Sequence, residues 1–165
     1  MKNIISVIGD YKIFLNAVYA NLKSAKVDVA DFYIDHIAYR TTSQKNYRVI
    51  REELLNWGEI MTEKIIRNRL VSIFKFNIPL DYNDSKIEYF EILEPANDNN
   101  YKEGLEHAEF VVGKKFSELV SKNSQINFIF KDKEINPELV LKFPDNVNVK
   151  FHELPIDEVI KLEEK

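Results

Sequence analysis

Three histidines stand in this chain, and each lies within a short strand-like run. His36 sits in Asp35-His36-Ile37-Ala38-Tyr39, His107 in Leu105-Glu106-His107-Ala108-Glu109, and His152 in Val149-Lys150-Phe151-His152. They are 71 and 45 positions apart, so no local motif joins them. Surface histidines have no reason to fall only in strands. A site that gathers imidazoles from several strands does, because neutral imidazole is the commonest metal ligand in proteins. Three imidazoles with one carboxylate could hold Zn, Fe, Ni, Mn or Co, with water completing the shell. Such an ion polarises a substrate oxygen or lowers the pKa of bound water to about 7.

The elements that must position these residues follow from periodicity. Residues 3–24 read as one amphipathic helix, with Ile4, Ile8, Tyr11, Phe14, Val18 and Leu22 on one face. A strand is predicted over 32–40. Thr41-Thr42-Ser43 then offers N-cap side chains to a helix over 43–57, which Gly58 ends. Strands follow over 59–67, 69–77 and 86–93, with 81–85 as a polar turn. Pro95 closes the third, and 96–104 is a polar loop.

The order then begins again, with a strand over 105–112 and a helix over 114–123. Strands over 126–130, 138–143 and 147–152 complete the second unit, and a helix over 156–164 follows Pro155. This is a repeat of order rather than of residues. It places His36 and His107 on the first strands of the two units, and Glu91 and His152 on the last. Strand side chains alternate faces, so two facing concave sheets could aim all four at one centre. Glu109 shares the parity of His107 and is a candidate for acid–base work. Arg40, Arg69 and Lys75 are strand cations that could hold an anionic substrate. Ile34, Ile92 and Phe151 are the hydrocarbon neighbours expected to dry the site.

Bulk properties narrow the function classes. The 165 residues suit a single domain over 1–165, built from the N-terminal helix, module one at about 31–95, module two at about 104–153 and the closing helix. A net charge of -4 argues against nucleic acid, whose phosphates need clustered Lys and Arg. The absence of cysteine excludes disulfides, zinc–thiolate sites and cysteine catalysis, and a cytoplasmic location is the expectation. No apolar run of about 20 residues exists, so no membrane partner is expected. Asp10 and Lys12 interrupt the apolar N-terminus before a signal-peptide core could form.

The phrases Asp35-His36-Ile37, Phe90-Glu91-Ile92-Leu93-Glu94-Pro95, Gly104-Leu105-Glu106-His107 and Lys150-Phe151-His152 resemble the YecM family of bacterial proteins. So do Asn136-Pro137-Glu138-Leu139 and Ile156-Asp157-Glu158-Val159-Ile160. That family is similar to the vicinal oxygen chelate superfamily, which includes glyoxalase I and extradiol dioxygenases. The resemblance implies an α+β fold of two paired βαβββ modules in a half-open barrel, with an added N-terminal helix. It also implies a divalent metal held by His36, Glu91, His107 and His152. The chain departs from the glyoxalase pattern at His152, where a carboxylate is usual. The implied function is a divalent-metal-dependent isomerase, lyase or oxygenase acting on a small oxygen-rich metabolite. The alternative is a metal-independent small-molecule binding protein on the same fold. Dimers are frequent in the superfamily, so a homodimer is compatible with this reading.

Overall fold

The structure is a computed structural model that describes residues 3–95 and 102–164. Most of the loop expected over 96–104, and the terminal Lys165, lie outside the described residues. The expected first helix is two helices, α1 (Ile5–Ile8) and α2 (Tyr11–Ser24). Gly9 breaks it by adopting φ 83°, a backbone region open to glycine. Asp10 then caps α2, its Oδ1 accepting from the Lys12 and Ile13 amides at 3.0 and 3.1 Å.

Module one comprises β1 (Tyr33–Arg40), α3 (Gln44–Leu54), β2 (Gly58–Ile66), β3 (Arg69–Tyr82) and β4 (Ser85–Leu93). Ser43 caps α3 by accepting from the Asn46 amide at 3.0 Å. Module two comprises β5 (Gly104–Val111), α4 (Phe116–Lys122), β6 (Ile129–Lys131), β7 (Glu138–Lys142) and β8 (Asn148–His152). The chain ends in α5 (Ile156–Glu163). The strand β3 runs further than its alternating core suggests. Its ladder with β4 is interrupted between Lys75 and Leu80, and Pro79, which has no amide proton to donate, falls in that gap.

All eight strands join one sheet in the order β2-β3-β4-β1-β5-β8-β7-β6. This corrects the expectation of two facing sheets. The modules lie side by side, joined by antiparallel pairing of β1 with β5, and each first strand runs parallel to its own last strand. The sheet curls without closing. Arg69 and Val71 of β3 and Glu138 and Val140 of β7, from near its opposite ends, line one cavity.

The central strands alternate with a period of two. Phe90, Phe110 and Phe151 are fully buried in one core with Leu15 and Val18 of α2, and Tyr19 meets the Phe110 ring edge-on at 5.9 Å. Their chain neighbours Glu91, Glu109 and Lys150 face the groove on the other side. Ile34, Ile92 and Phe151 belong to the helix-side core, so they do not dry the groove as expected. Ala38, Val71 and Leu93 form a separate small apolar cluster. Among the described residues no helix is long and apolar enough to cross a membrane.

Gly58 does not end the helix as expected, since α3 stops at Leu54. It opens β2 opposite Phe76, where an added Cβ would sit 2.1 Å from the Lys75 carbonyl oxygen. The neighbour is backbone and cannot swing aside. Gly58→Ala should therefore destabilise the fold by about 1–3 kcal/mol, as overpacking does. A urea midpoint equal to that of the parent would contradict this.

Candidate metal centre

The pairing of β1 with β5 sets His36 opposite Glu109 and Ala38 opposite His107. It carries two register shifts, one skipping Asp35 and the other Glu106. Each skipped residue is acidic and directly precedes a histidine. In a regular strand it would point away from that histidine, but a bulge re-aims the side chain. Asp35 Oδ2 lies 2.8 Å from His36 Nδ1, and Glu106 Oε2 lies 3.1 Å from His107 Nδ1. Each imidazole thus donates Nδ1–H to a carboxylate and turns Nε2 into the groove.

The two Nε2 atoms converge with two further carboxylates. His107 Nε2 lies 3.0 Å from both Glu91 Oε2 and Glu109 Oε1, and His36 Nε2 lies 3.4 Å from Glu109 Oε2. One donor atom from each of His36, Glu91, His107 and Glu109 lies within 4.8 Å of the others. Among the described residues Glu91 Oε2 and His107 Nε2 are buried and make no hydrogen bond of good geometry, although they lie within ion-pair distance of each other. Buried polar atoms are seldom left so, because an unmatched one costs about 1–3 kcal/mol.

His152 stands behind this group. Its Nε2 contacts Glu109 Oε2, and its buried Nδ1 has no hydrogen-bond partner to orient the ring. Register explains the difference. His36 opposes Tyr89 across β1 and β4, and His107 opposes Asn148 across β5 and β8. Glu91 is therefore the counterpart of Lys150, and His152 that of Leu93. The pairing of Glu91 with His152 expected from element order is one pleat out. Lys150 occupies the ligand-like position and places Nζ 2.6 Å from Glu109 Oε1.

Charge dominates this buried cluster. Burial opposes protonation of His36, but the Glu109 and Asp35 carboxylates outweigh it and raise its pKa to about 10. Burial and Lys150 depress His107, yet Glu106, Glu109 and Glu91 raise it to about 9. Burial works against ionising Glu109, but His152, Lys150 and His36 hold it well below the usual carboxylate range. Glu91 is likewise lowered, by His107 and Lys150 against the pull of burial.

The cations named from the sequence take different places. Arg40 donates Nε and Nη2 to the Glu106 carboxylate at 2.8 and 2.6 Å, so it acts on His107 through Glu106. Arg69 lines a cavity of about 530 Å³ that reaches Glu91, His107 and Lys150. Lys75 lines neither this cavity nor its neighbour of about 320 Å³, which holds His36, Glu109 and His152. It pairs with Glu88 at 3.7 Å and lies 5.6 Å from the Tyr89 ring centre. Asp35, Glu106 and Lys150 were not singled out from the sequence. An acidic residue directly before a histidine on each module's first strand is the signal that could have found the first two.

The YecM protein family model matches residues 3–134, which is more than half of the chain. The chain belongs to the YecM family. This YecM chain is 26% identical over 114 residues to an uncharacterized protein of Haemophilus influenzae. That match covers 67% of the chain and spans 58% of the relative's length. The solved structure of the structural-genomics protein EC4020 superposes with a TM-score of 0.80 at 21% identity, covering 99% of this chain and 97% of that one. That likeness shows a shared fold. A candidate dioxygenase from Bacillus subtilis aligns with 75% of this chain and 41% of its own, at 8% identity and a TM-score of 0.47.

Two outcomes are expected of this geometry. Glu106→Ala frees the His107 ring and should weaken divalent-metal affinity about 10–100-fold, read by competition with a chromogenic chelator. Parent-like affinity would show that Glu106 does not orient a ligand. The pH dependence of metal-free protein has a definite sign. Imidazoles raised from 6.5 to about 9 and 10 add stability that is complete below pH 6.5 and lost as pH climbs through those values. Urea midpoints of chelator-treated protein should therefore fall between about pH 7 and 10. A flat profile there would contradict the charged cluster.

Proposed function

We propose that this chain is a divalent-metal-dependent enzyme acting on a small oxygen-rich metabolite, with His36, Glu91 and His107 as the central ligands. The observation that carries this reading is the matched pair of histidines. Each is fixed at Nδ1 by its own carboxylate and aims Nε2 at a point shared with buried oxygens of Glu91 and Glu109. Charge supports it. With both imidazoles neutral, Asp35, Glu91, Glu106 and Glu109 exceed Arg40 and Lys150 by two charges, which one divalent cation would balance.

Nitrogen and oxygen donors of this kind suit Zn, Fe, Ni, Mn or Co. Such an ion would supply Lewis acidity toward a substrate oxygen. Glu109 completes the donor group or serves as the base, and His152 contacts the carboxylate oxygen that would carry the proton. Lys150 keeps Glu109 ionised and presents a fixed positive charge on which a developing oxyanion could rest. Isomerase, lyase and oxygenase chemistry each begin from such an arrangement.

One observation favours a second reading, a metal-independent binding protein. Glu109 already meets His36, His107, His152 and Lys150, so protonated imidazoles alone could balance the cluster. Metal content separates the two. Purified protein offered each of the five metals and then dialysed should retain one ion per chain with micromolar or tighter affinity. His36→Ala and His107→Ala should each abolish that retention while keeping the parent's circular dichroism. Retention of no metal by the parent chain would leave the binding-protein reading standing.

A further inference from the structure

We propose that the larger cavity is an anion subsite and that the metabolite carries a dianionic phosphate group there, with its reacting end at Glu91 and His107. The inference deepens the reading given above and rests on it for the reacting end only. Its starting point is a contrast of charge. The chain as a whole carries -4, yet among the described residues seven Lys and Arg side chains line this cavity against three carboxylates.

Two of the cations serve the cluster itself, Arg40 through Glu106 and Lys150 through Glu109. Glu91 belongs to the same cluster. The remaining five are Arg67, Arg69, Lys131, Lys133 and Lys142, and among the described residues one further carboxylate, Glu138, lines the cavity with them. Lys131 and Lys133 both reach Glu138, each at 2.6 Å, so two positive charges bear on one negative. Burial opposes ionising Glu138, but Lys150, Lys131 and Lys133 hold its pKa at about 2. With Arg69 left out of the count, the described residues still set four cations against one carboxylate, a surplus of three positive charges facing a small concave space.

Their placement favours a ligand gripped from two sides. Arg67 and Arg69 come from the tight turn joining β2 to β3, where Arg67 and Asn68 both hold left-handed backbone, at φ 51° and 61°. Lys131 lies on β6, Lys133 just beyond it, and Lys142 ends β7. These hairpins belong to opposite ends of the sheet, and the curl brings them over one groove. A monocarboxylate offers one charge and two coplanar oxygens. A phosphate monoester offers about two charges and three oxygens on a tetrahedron, which suits a forked guanidinium on one side and ammonium groups on the other. The cavity of about 530 Å³ also lies in the range of small-metabolite sites. Nucleic acid fits poorly, because the cations line a pocket rather than a long stripe.

Calorimetry with inorganic phosphate on chelator-treated full-length protein tests the proposal. Saturable binding is expected, weakening as salt rises, with acetate binding at least about tenfold less tightly. Arg67→Ala/Lys142→Ala removes two exposed rim cations from opposite hairpins and should weaken phosphate about tenfold or more while leaving metal retention at the parent level. Arg69→Ala should act in the same direction. Absent phosphate binding, equal affinity for acetate, or parent-like affinity in the double variant would each overturn the proposal. If phosphate binds through these residues and no metal is retained, the anion subsite stands and the metal reading falls. If metal is retained and phosphate is not bound, the reverse holds.

Discussion

The antiparallel pairing of β1 with β5 is the contact on which the rest of this molecule depends. It joins the two modules into one sheet and sets the two first-strand histidines beside each other at its centre. Its two bulges turn Asp35 and Glu106 onto the groove side, where each fixes an imidazole. A ladder of perfect register would send both carboxylates into the aromatic core beneath, among Phe90, Phe110 and Phe151. The irregularity thus turns two ionisable residues away from an apolar layer and gives each histidine a defined orientation. Asp35 also accepts from the Ile156 amide at 3.0 Å, which ties α5 to the same point.

Electrostatics then sets what the groove can hold. Carboxylates this deeply buried need cations, since an unpaired buried charge is too costly to keep. Protons on the imidazoles, a metal ion and Lys150 all answer that need, and they compete with one another. Lys150 is the fixed member of the set. Standing where register would place a second ligand like Glu91, it limits the negative charge at the cluster and shares the lining of the basic cavity with Glu91 and His107.

Much of this was legible in the sequence, and what was not has identifiable causes. Period-two alternation and turn residues located most of the eight strands to within a few positions, while β3 runs on past the expected 77 to Tyr82. Their repeated order gave the paired modules. The continuous helix over 3–24 failed because Gly9 followed by Asp10 is a stop and a new cap, a signal weaker than the apolar stripe running through both. Ile34 has the parity of His36 and was misplaced because the bulge at Asp35 breaks the alternation, whereas Ile92 and Phe151 adjoin Glu91 and His152, so alternation itself sends them to the other face. The convergence of His36, Glu91 and His107 followed from element order. The match of Glu91 to His152 did not survive, because order fixes which strands correspond but not the pleat at which they align. Alternation alone does not reveal bulges, so the orientation of Asp35 and Glu106 toward their histidines emerged from the register. Lys75, chosen for its strand position alone, lies outside both cavities, whereas the turn residue Arg67 and the strand end Lys142 line the larger one.

In the proposed site two histidines from different modules meet at one ion. X-ray absorption spectroscopy of the metal-loaded protein addresses it most directly. Multiple scattering from two imidazoles is expected, together with carboxylate oxygens in a shell at about 2.0–2.2 Å. A bound ion whose spectrum shows oxygen ligands alone, with no imidazole signature, would contradict it.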